Sequence, residues 1–295
     1  MPQSSIVFDR ALLRRRQQRA RGLGPETFLI DRVAADLAER LGAVLRRFDL
    51  AVDLGTPTDA VREALADNAS IGMLIAAAPL ARAAPAIVAD EEALPLRETS
   101  LDLIVSTLAL QFVNDLPGTL IQIRRALKPD GLLLAAMLGG DTLTELRQSF
   151  AAAEAEVEGG ASPHVAPFAD VRDMGALLQR AGFALPVTDV ERLTVRYSSP
   201  FILLGELRRM GATNALAERR RTPLRRATLA RMAEIYAQRF ADPDGRIRAT
   251  FEIIWLSGWA PHQGQQQPLR PGSARARLAD ALGTLEIKTG DKAGE

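Results

Sequence analysis

The stretch Ala51 to Ala60, AVDLGTPTDA, decides how this chain is read. A short apolar run, Leu50 to Leu54, carries Asp53 near its end and stops at Gly55, and a segment with helical potential follows from Asp59 to Ala66. That is a buried strand, a turn and a helix. Glycine at such a turn lets backbone approach a ligand closely, and an acidic residue beside it is how many cofactor domains set a strand end against a bound nucleoside. A dinucleotide-binding turn has three glycines. Here Thr56, Pro57, Thr58 and Asp59 stand where the others belong, so NAD and FAD are disfavoured.

Outward from that turn the pattern repeats. Ile71 to Ile75, Ile87 to Ala89, Leu101 to Ser106 and Leu132 to Leu138 are short apolar or β-branched runs bounded by turn or helix signals, as buried parallel strands are. Helical stretches lie between them, most clearly Pro117 to Leu127, which stops at Lys128, Pro129, Asp130 and Gly131. Strand and helix alternating over short connections predict an α/β, doubly wound, mostly parallel sheet whose ligand site lies beyond the strands' carboxyl ends. Asp53, Asp90 and Ser106 stand at three of those ends.

Ahead of this core a helix is predicted from Pro25 and Glu26, with Leu29, Val33, Leu37 and Leu41 every fourth residue on one face. Residues 8–21 are arginine-rich and nearly acid-free. A transit peptide or an anionic-surface helix has that composition, but the favoured reading is a solvated basic helix held by Phe8, Leu12 and Leu13. Beyond Asp141 come a helix to about Glu156, a loop, a helix ending at Gly182, and two extended segments, Val187 to Tyr197 and Thr250 to Gly258. Between the latter, Leu229, Met232, Tyr236 and Phe240 mark one face of a helix preceded by the basic run Arg219 to Arg221 and Arg225 to Arg226. This is read as a helical insertion covering the site. The expected organisation is an N-terminal basic and helical segment over 1–40, the main domain over 41–260 with its insertion at about 200–249, and a loose polar tail over 261–295.

The bulk numbers exclude several classes. The chain of 295 residues is 47% hydrophobic and 25% charged, an ordinary globular balance. A net charge of +1 gives no global reason for nucleic acid, which needs a basic face for many phosphates. There is no cysteine, so no disulfide, thiolate nucleophile or cysteine-ligated metal. Two histidines 98 residues apart, His164 and His262, leave a metal site unsupported. With no apolar run near the ~20 residues of a membrane span, a soluble cytoplasmic protein is expected, with peripheral membrane contact open only to the basic N-terminus.

Four stretches in order, the VDLG strand, ADEEALPL (Ala89 to Leu96), LDLIVSTLALQFVNDLP (Leu101 to Pro117) and LKPDG (Leu127 to Gly131), resemble the successive motifs of class I S-adenosylmethionine (SAM) dependent methyltransferases. Phe8, Asp9, Arg10, then GGDTLTELR (Gly139 to Arg147), EGGASPHVAPF (Glu158 to Phe168) and SGWAPH (Ser257 to His262), look like the bacterial relatives of the mitochondrial complex I assembly factor of methyltransferase fold. Malonyl-acyl carrier protein methyltransferases share mainly the core motifs. The resemblance implies a seven-stranded sheet and SAM in the strand-end crevice, with Asp90 and Glu91 near the adenine, the Asp53 to Gly55 turn near the methionine moiety, and Ser106 at the same crevice. It also implies a protein or acyl substrate, a complex I subunit among them, faced by Gln111, Asp141 or His164. The mitochondrial member is understood to hydroxylate an arginine instead of methylating it. Two departures stand out: the glycine-poor loop, and Ala76 to Ala78 where strand two usually ends in a ribose-holding carboxylate. They leave open a non-catalytic binding module or assembly chaperone. Each polar candidate also has a structural reading: Asp90 and Glu91 as turn residues, Asp141 as a helix cap, Asn114 and Asp115 as openers of the helix at Pro117, His164 as an ordinary loop residue.

Overall fold

In the computed structural model, residues 6–265 and 283–284 are described. One compact unit spans Met1–Pro261, so the expectation for the tail lies almost wholly outside the described residues. Seven strands form one sheet in the order β3-β2-β1-β4-β5-β7-β6. They are β1 (Phe48–Leu54), β2 (Ile71–Ala78), β3 (Ala86–Val88), β4 (Leu101–Thr107), β5 (Leu127–Leu138), β6 (Ala184–Tyr197) and β7 (Ile247–Trp259). The first five run parallel, and β7 is antiparallel to both β5 and β6. The strand order reverses at β1, which pairs with β2 on one side and β4 on the other. That switch point opens the crevice the sequence anticipates.

Each face of the sheet has its own core. Leu103, Val105, Leu132, Leu134, Ile253 and Trp255 join one cluster, while their neighbours Ile104, Leu133, Ile254 and Leu256 join the other. The period of two in side-chain direction makes this division. Helix α2 (Phe28–Gly42) covers the first face through Leu29, Val33, Leu37 and Leu41. It starts later than predicted because the Glu26 N–H donates to Arg209 O (3.3 Å) and the Glu26 carboxylate pairs with Arg209 (3.2 Å). Helices α4 (Leu116–Ala126) and α6 (Val171–Arg180) cover the second face through Leu120, Ile123, Met174 and Leu178. Asp115 opens α4 as expected, accepting from Gly118 N at 2.9 Å.

The remaining helices are α1 (Arg10–Gly22), α3 (Ala60–Ala64), α5 (Thr144–Glu158), α7 (Pro200–Arg209) and α8 (Arg226–Phe240). The insertion carries α7 and α8; α8 ties to α5 through Thr228 to Glu158 (2.6 Å) and Arg231 to Glu156 (2.6 Å). Phe8 and Leu13 are buried, as predicted for the basic N-terminal helix. Asn114 clamps its approach, accepting from Val7 N (2.9 Å) and Phe8 N (2.8 Å). Helix α1 is nevertheless not a solvated basic helix on all sides: Arg10 and Arg14 point at the sheet's carboxyl ends.

Candidate active site

The turn after β1 is built around Gly55, at φ +74°, where a Cβ would sit 2.9 Å from both the Ala109 Cβ and Glu91 Oε1. Only glycine has both the left-handed backbone and the clearance. Two residues earlier, Asp53 is 3% exposed and accepts a hydrogen bond from Thr56 Oγ1, whose oxygen in turn accepts from Thr107 N at 3.1 Å. Burial pushes the Asp53 carboxyl up to about 6, against the opposing pull of the Thr56 bond and Arg82. Ser106 ties the two central strands together, donating to Leu54 O at 2.7 Å.

The loop that lacks glycines is held by a side chain from 26 residues further on. Arg82 donates to Thr56 O and pairs with Asp59 (2.7 Å), and its side chain is 4% exposed. A guanidinium beneath the loop does what consecutive glycine turns do elsewhere: it fixes the path of backbone across the strand end.

Beyond β3 lie Asp90 and Glu91, and both face α1. Arg10 pairs with Asp90 (2.7 Å), with Glu91 and with Glu92 (3.1 Å), and Arg14 pairs with Asp90. Burial raises the Asp90 carboxyl, but the Glu92 N–H, Arg14 and Arg10 outweigh it and hold it below the usual value. Glu91 goes the other way, because its burial exceeds the pull of Arg10. Arg10, Leu13, Arg14, Gln17, Gly55, Pro79, Glu91, Ala109 and Phe112 enclose a space of only about 10 Å³.

The carboxylates, the Gly55 turn and the strand ends gather at one crevice. The space left does not hold a nucleoside while α1 keeps Arg10 and Arg14 in place. Sequence reasoning missed these two arginines and Arg82. The available signal was Arg10, Leu13, Arg14 and Gln17 recurring at helical spacing, which sets two arginines on the face of a buried leucine.

Next to this crevice, and sharing Gln17 and Phe112 with it, is a cavity of about 80 Å³. Gln111 lines it, 6% exposed, donating from Nε2 to Leu108 O (2.8 Å) while its Oε1 has no partner among the described residues. Leu108 and Leu143, also in the lining, both have left-handed backbone, at φ +51° and +54°. Strain of that kind costs about 1–3 kcal/mol per residue and collects at functional sites. Leu207, Met210, Gly211 and Ala212 of the insertion line the cavity.

From there a mouth of about 560 Å³ opens past Pro57, Thr58, Glu26 and Met210. Its lining includes the carboxylates Glu26, Asp31, Asp59 and Glu63 with Arg21, Arg82 and Arg209. Asp31 and Glu63 are exposed and form no ion pair among the described residues.

The other sequence candidates sit elsewhere. Asp141 does not cap α5, whose N-cap is Leu143; the carboxylate is half exposed and pairs with Arg192. The turn before α5 is held instead by β7, with Thr142 Oγ1 donating to Glu252 O (3.1 Å). His164 stacks on Phe150 at 4.0 Å and bonds Glu154 Oε1 through Nε2 at 2.9 Å. Glu154 is 1% exposed; burial raises it, and the bonds from His164 and Ser162 more than offset that. His262 Nδ1 accepts from Gly264 N at 3.1 Å. Among the described residues no group of three or more His, Cys, Asp or Glu gathers to hold a metal, and no helix is long and apolar enough to cross a membrane.

Comparison with known proteins agrees with this geometry. Residues 52–135 match a family model described as a methyltransferase domain. The YcgJ protein of Bacillus subtilis superposes with a TM-score of 0.51 at 14% identity, covering 77% of this chain and 98% of its own, a likeness of fold. A malonyl-acyl-carrier-protein O-methyltransferase of Gallionella capsiferriformans is 41% identical over 59% of this chain and 58% of its own length. The mitochondrial arginine-hydroxylase NDUFAF5 of Danio rerio is 37% identical over 94% of this chain and 90% of that protein. Identity at that level along nearly the whole of both chains places the chain in the methyltransferase-fold family of the mitochondrial arginine-hydroxylases NDUFAF5.

Proposed function

We propose that the chain is a SAM-dependent, methyltransferase-like enzyme that acts on an arginine side chain of a protein partner, in respiratory complex I assembly. The observation that carries the substrate class is the acid-lined mouth leading to an unpaired buried acceptor. A guanidinium is attracted by the unpaired Asp31 and Glu63 at the surface, and its N–H groups suit Gln111 Oε1 inside, the one kind of atom that such donors need. The name of the Danio rerio relative, an arginine-hydroxylase, agrees with that reading. Asp90 and the Gly55 turn are the groups that would hold SAM, which when bound supplies an activated methyl group. The chain's own contribution is positioning: Arg82 fixes the loop, Ser106 and Thr107 fix the strand ends, and the insertion excludes water.

A second reading is favoured by one feature. Arg10 and Arg14 fill the crevice, which suits a binding module that has given up the cofactor. Titration calorimetry of SAM against the full chain and against Arg10→Ala/Arg14→Ala separates the two. Micromolar binding, tighter in the double variant, is expected. No heat from either protein at millimolar SAM would retire the enzyme reading and leave the assembly module.

A further inference from the structure

On another side of the 80 Å³ cavity the charge reverses. Phe112, Leu143, Phe168, Leu207 and Ala212 also border a second, largely apolar cavity of about 210 Å³, walled further by Phe8, Phe150 and Val165. His164 and Asn214 line both this cavity and a surface pocket of about 430 Å³. That pocket is lined by Arg16, Arg219, Arg220 and Arg221 with His164, Asn214, Thr222 and Leu224, and no carboxylate is among them.

The arginines are unequally neutralised. Arg219 reaches Asp9 (3.2 Å) and Arg220 reaches Glu158 (3.2 Å), carboxylates set behind the pocket wall. Among the described residues Arg16 forms no salt bridge and donates to the carbonyl of Asn214; burial and the neighbouring Arg219 and Arg19 hold it below the usual guanidinium value against the pull of Asp9. Arg221 is exposed and has no partner among the described residues. The lining of the pocket is therefore positive, and a concave positive rim focuses its field outward.

The walls are well set. Asn214 Nδ2 donates to Pro163 O (2.6 Å), joining the loop of His164 to the segment after α7. Glu154 fixes the imidazole from one side and Phe150 from its face.

We propose that the arginine-rimmed pocket and the apolar cavity behind His164 together form a binding site for a small amphiphilic anion: a carboxylate or phosphate head held by Arg16, Arg219 and Arg221, with a short apolar tail past His164 against Phe150, Val165 and Phe8. Its geometry makes no use of the SAM crevice, so the site stands or falls independently of the proposed function.

The test is titration calorimetry of the full chain with octyl phosphate, octanoate, inorganic phosphate and octanol. Octyl phosphate is expected to bind, at least about tenfold tighter than inorganic phosphate, while octanol does not bind; the octanoate arm tells whether the head is best a carboxylate or a phosphate. Arg16→Glu/Arg221→Glu should weaken octyl phosphate at least about tenfold and leave the melting temperature near that of the parent. Arg16→Gln/Arg221→Gln serves if the charge reversal disturbs folding. Val165→Trp should abolish the advantage of the octyl chain and spare inorganic phosphate. Unchanged affinity in the arginine variants, or an octyl chain that adds nothing in the parent, overturns the proposal, as does failure of every anion to bind at millimolar concentration.

Discussion

Replacing Asp53 by asparagine should stabilise this protein, and by an amount that depends on pH. The Asp53 carboxyl, 3% exposed, titrates at about 6 in the folded chain against 3.8 when solvated, because burial disfavours the charged form more than Thr56 and Arg82 favour it. Between those two values the folded state binds the proton and the unfolded state does not, so stability falls as pH rises through the window. Above pH 6 the cost is fully present. The gap between 3.8 and about 6, at 1.36 kcal/mol per pH unit, makes it about 3 kcal/mol. Asparagine keeps an acceptor for Thr56 Oγ1 and carries no charge, so it escapes the cost. Urea unfolding of Asp53→Asn and the parent from pH 4 to pH 8 measures the difference; the paired carboxylates elsewhere titrate alike in both chains and cancel. The variant should be about 3 kcal/mol more stable at pH 7.5, with the advantage vanishing near pH 4. A variant less stable than the parent at pH 7.5, or a difference flat with pH, would refute the argument that Asp53 is held ionised at a cost.

Gly55→Ala should lower stability by about 1–3 kcal/mol in thermal unfolding, since an L-residue at φ +74° is strained and its Cβ would press on Ala109 and Glu91. A loss below a few tenths would mean that the turn relaxes freely. Asp141→Ala should change stability by less than about 1 kcal/mol, because it breaks one exposed pair with Arg192 and no helix cap; a larger loss by urea unfolding would restore the capping role.

The central strands were legible because their order depends on local signals: apolar runs of strand length, turns between them, and helices of period four. Asp115 was legible as a cap for the same reason, its partner Gly118 being three residues away. Asp141 misled because its neighbourhood is decided by β7. Glu252, 110 residues on, holds the turn through Thr142, and α5 begins from a left-handed leucine that no propensity foretells. The arginines were hardest. Arg10, Arg14 and Arg82 have the same side chain as the many solvated arginines around them, and only their distant partners, Asp90, Glu91 and Thr56, set them apart. Gln111 was identifiable as a candidate residue, whereas its orphaned oxygen needs the fold.

The arginines of α1 also decide how any cofactor affinity should be interpreted. On the proposed reading helix α1 and an adenosyl ligand compete for the same carboxylates, so a ligand that needs the crevice open binds only the fraction of molecules in which α1 has released Asp90 and Glu91. Its apparent affinity is the intrinsic one multiplied by that fraction. Arg10 is 13% exposed with Glu91 at 7%, and removing one partner of a buried pair leaves the other uncompensated, so the closed state loses more than a surface ion pair would. Arg10→Ala/Arg14→Ala therefore raises the open fraction while leaving Asp90 and the Gly55 turn intact, and an intrinsically competent crevice binds SAM more tightly for it. The opposite sign has a different cause. If α1 itself contributes contacts to the bound ligand, deleting two guanidiniums removes them and affinity falls. The direction of the change, more than its size, distinguishes a helix that plugs the crevice from one that completes it.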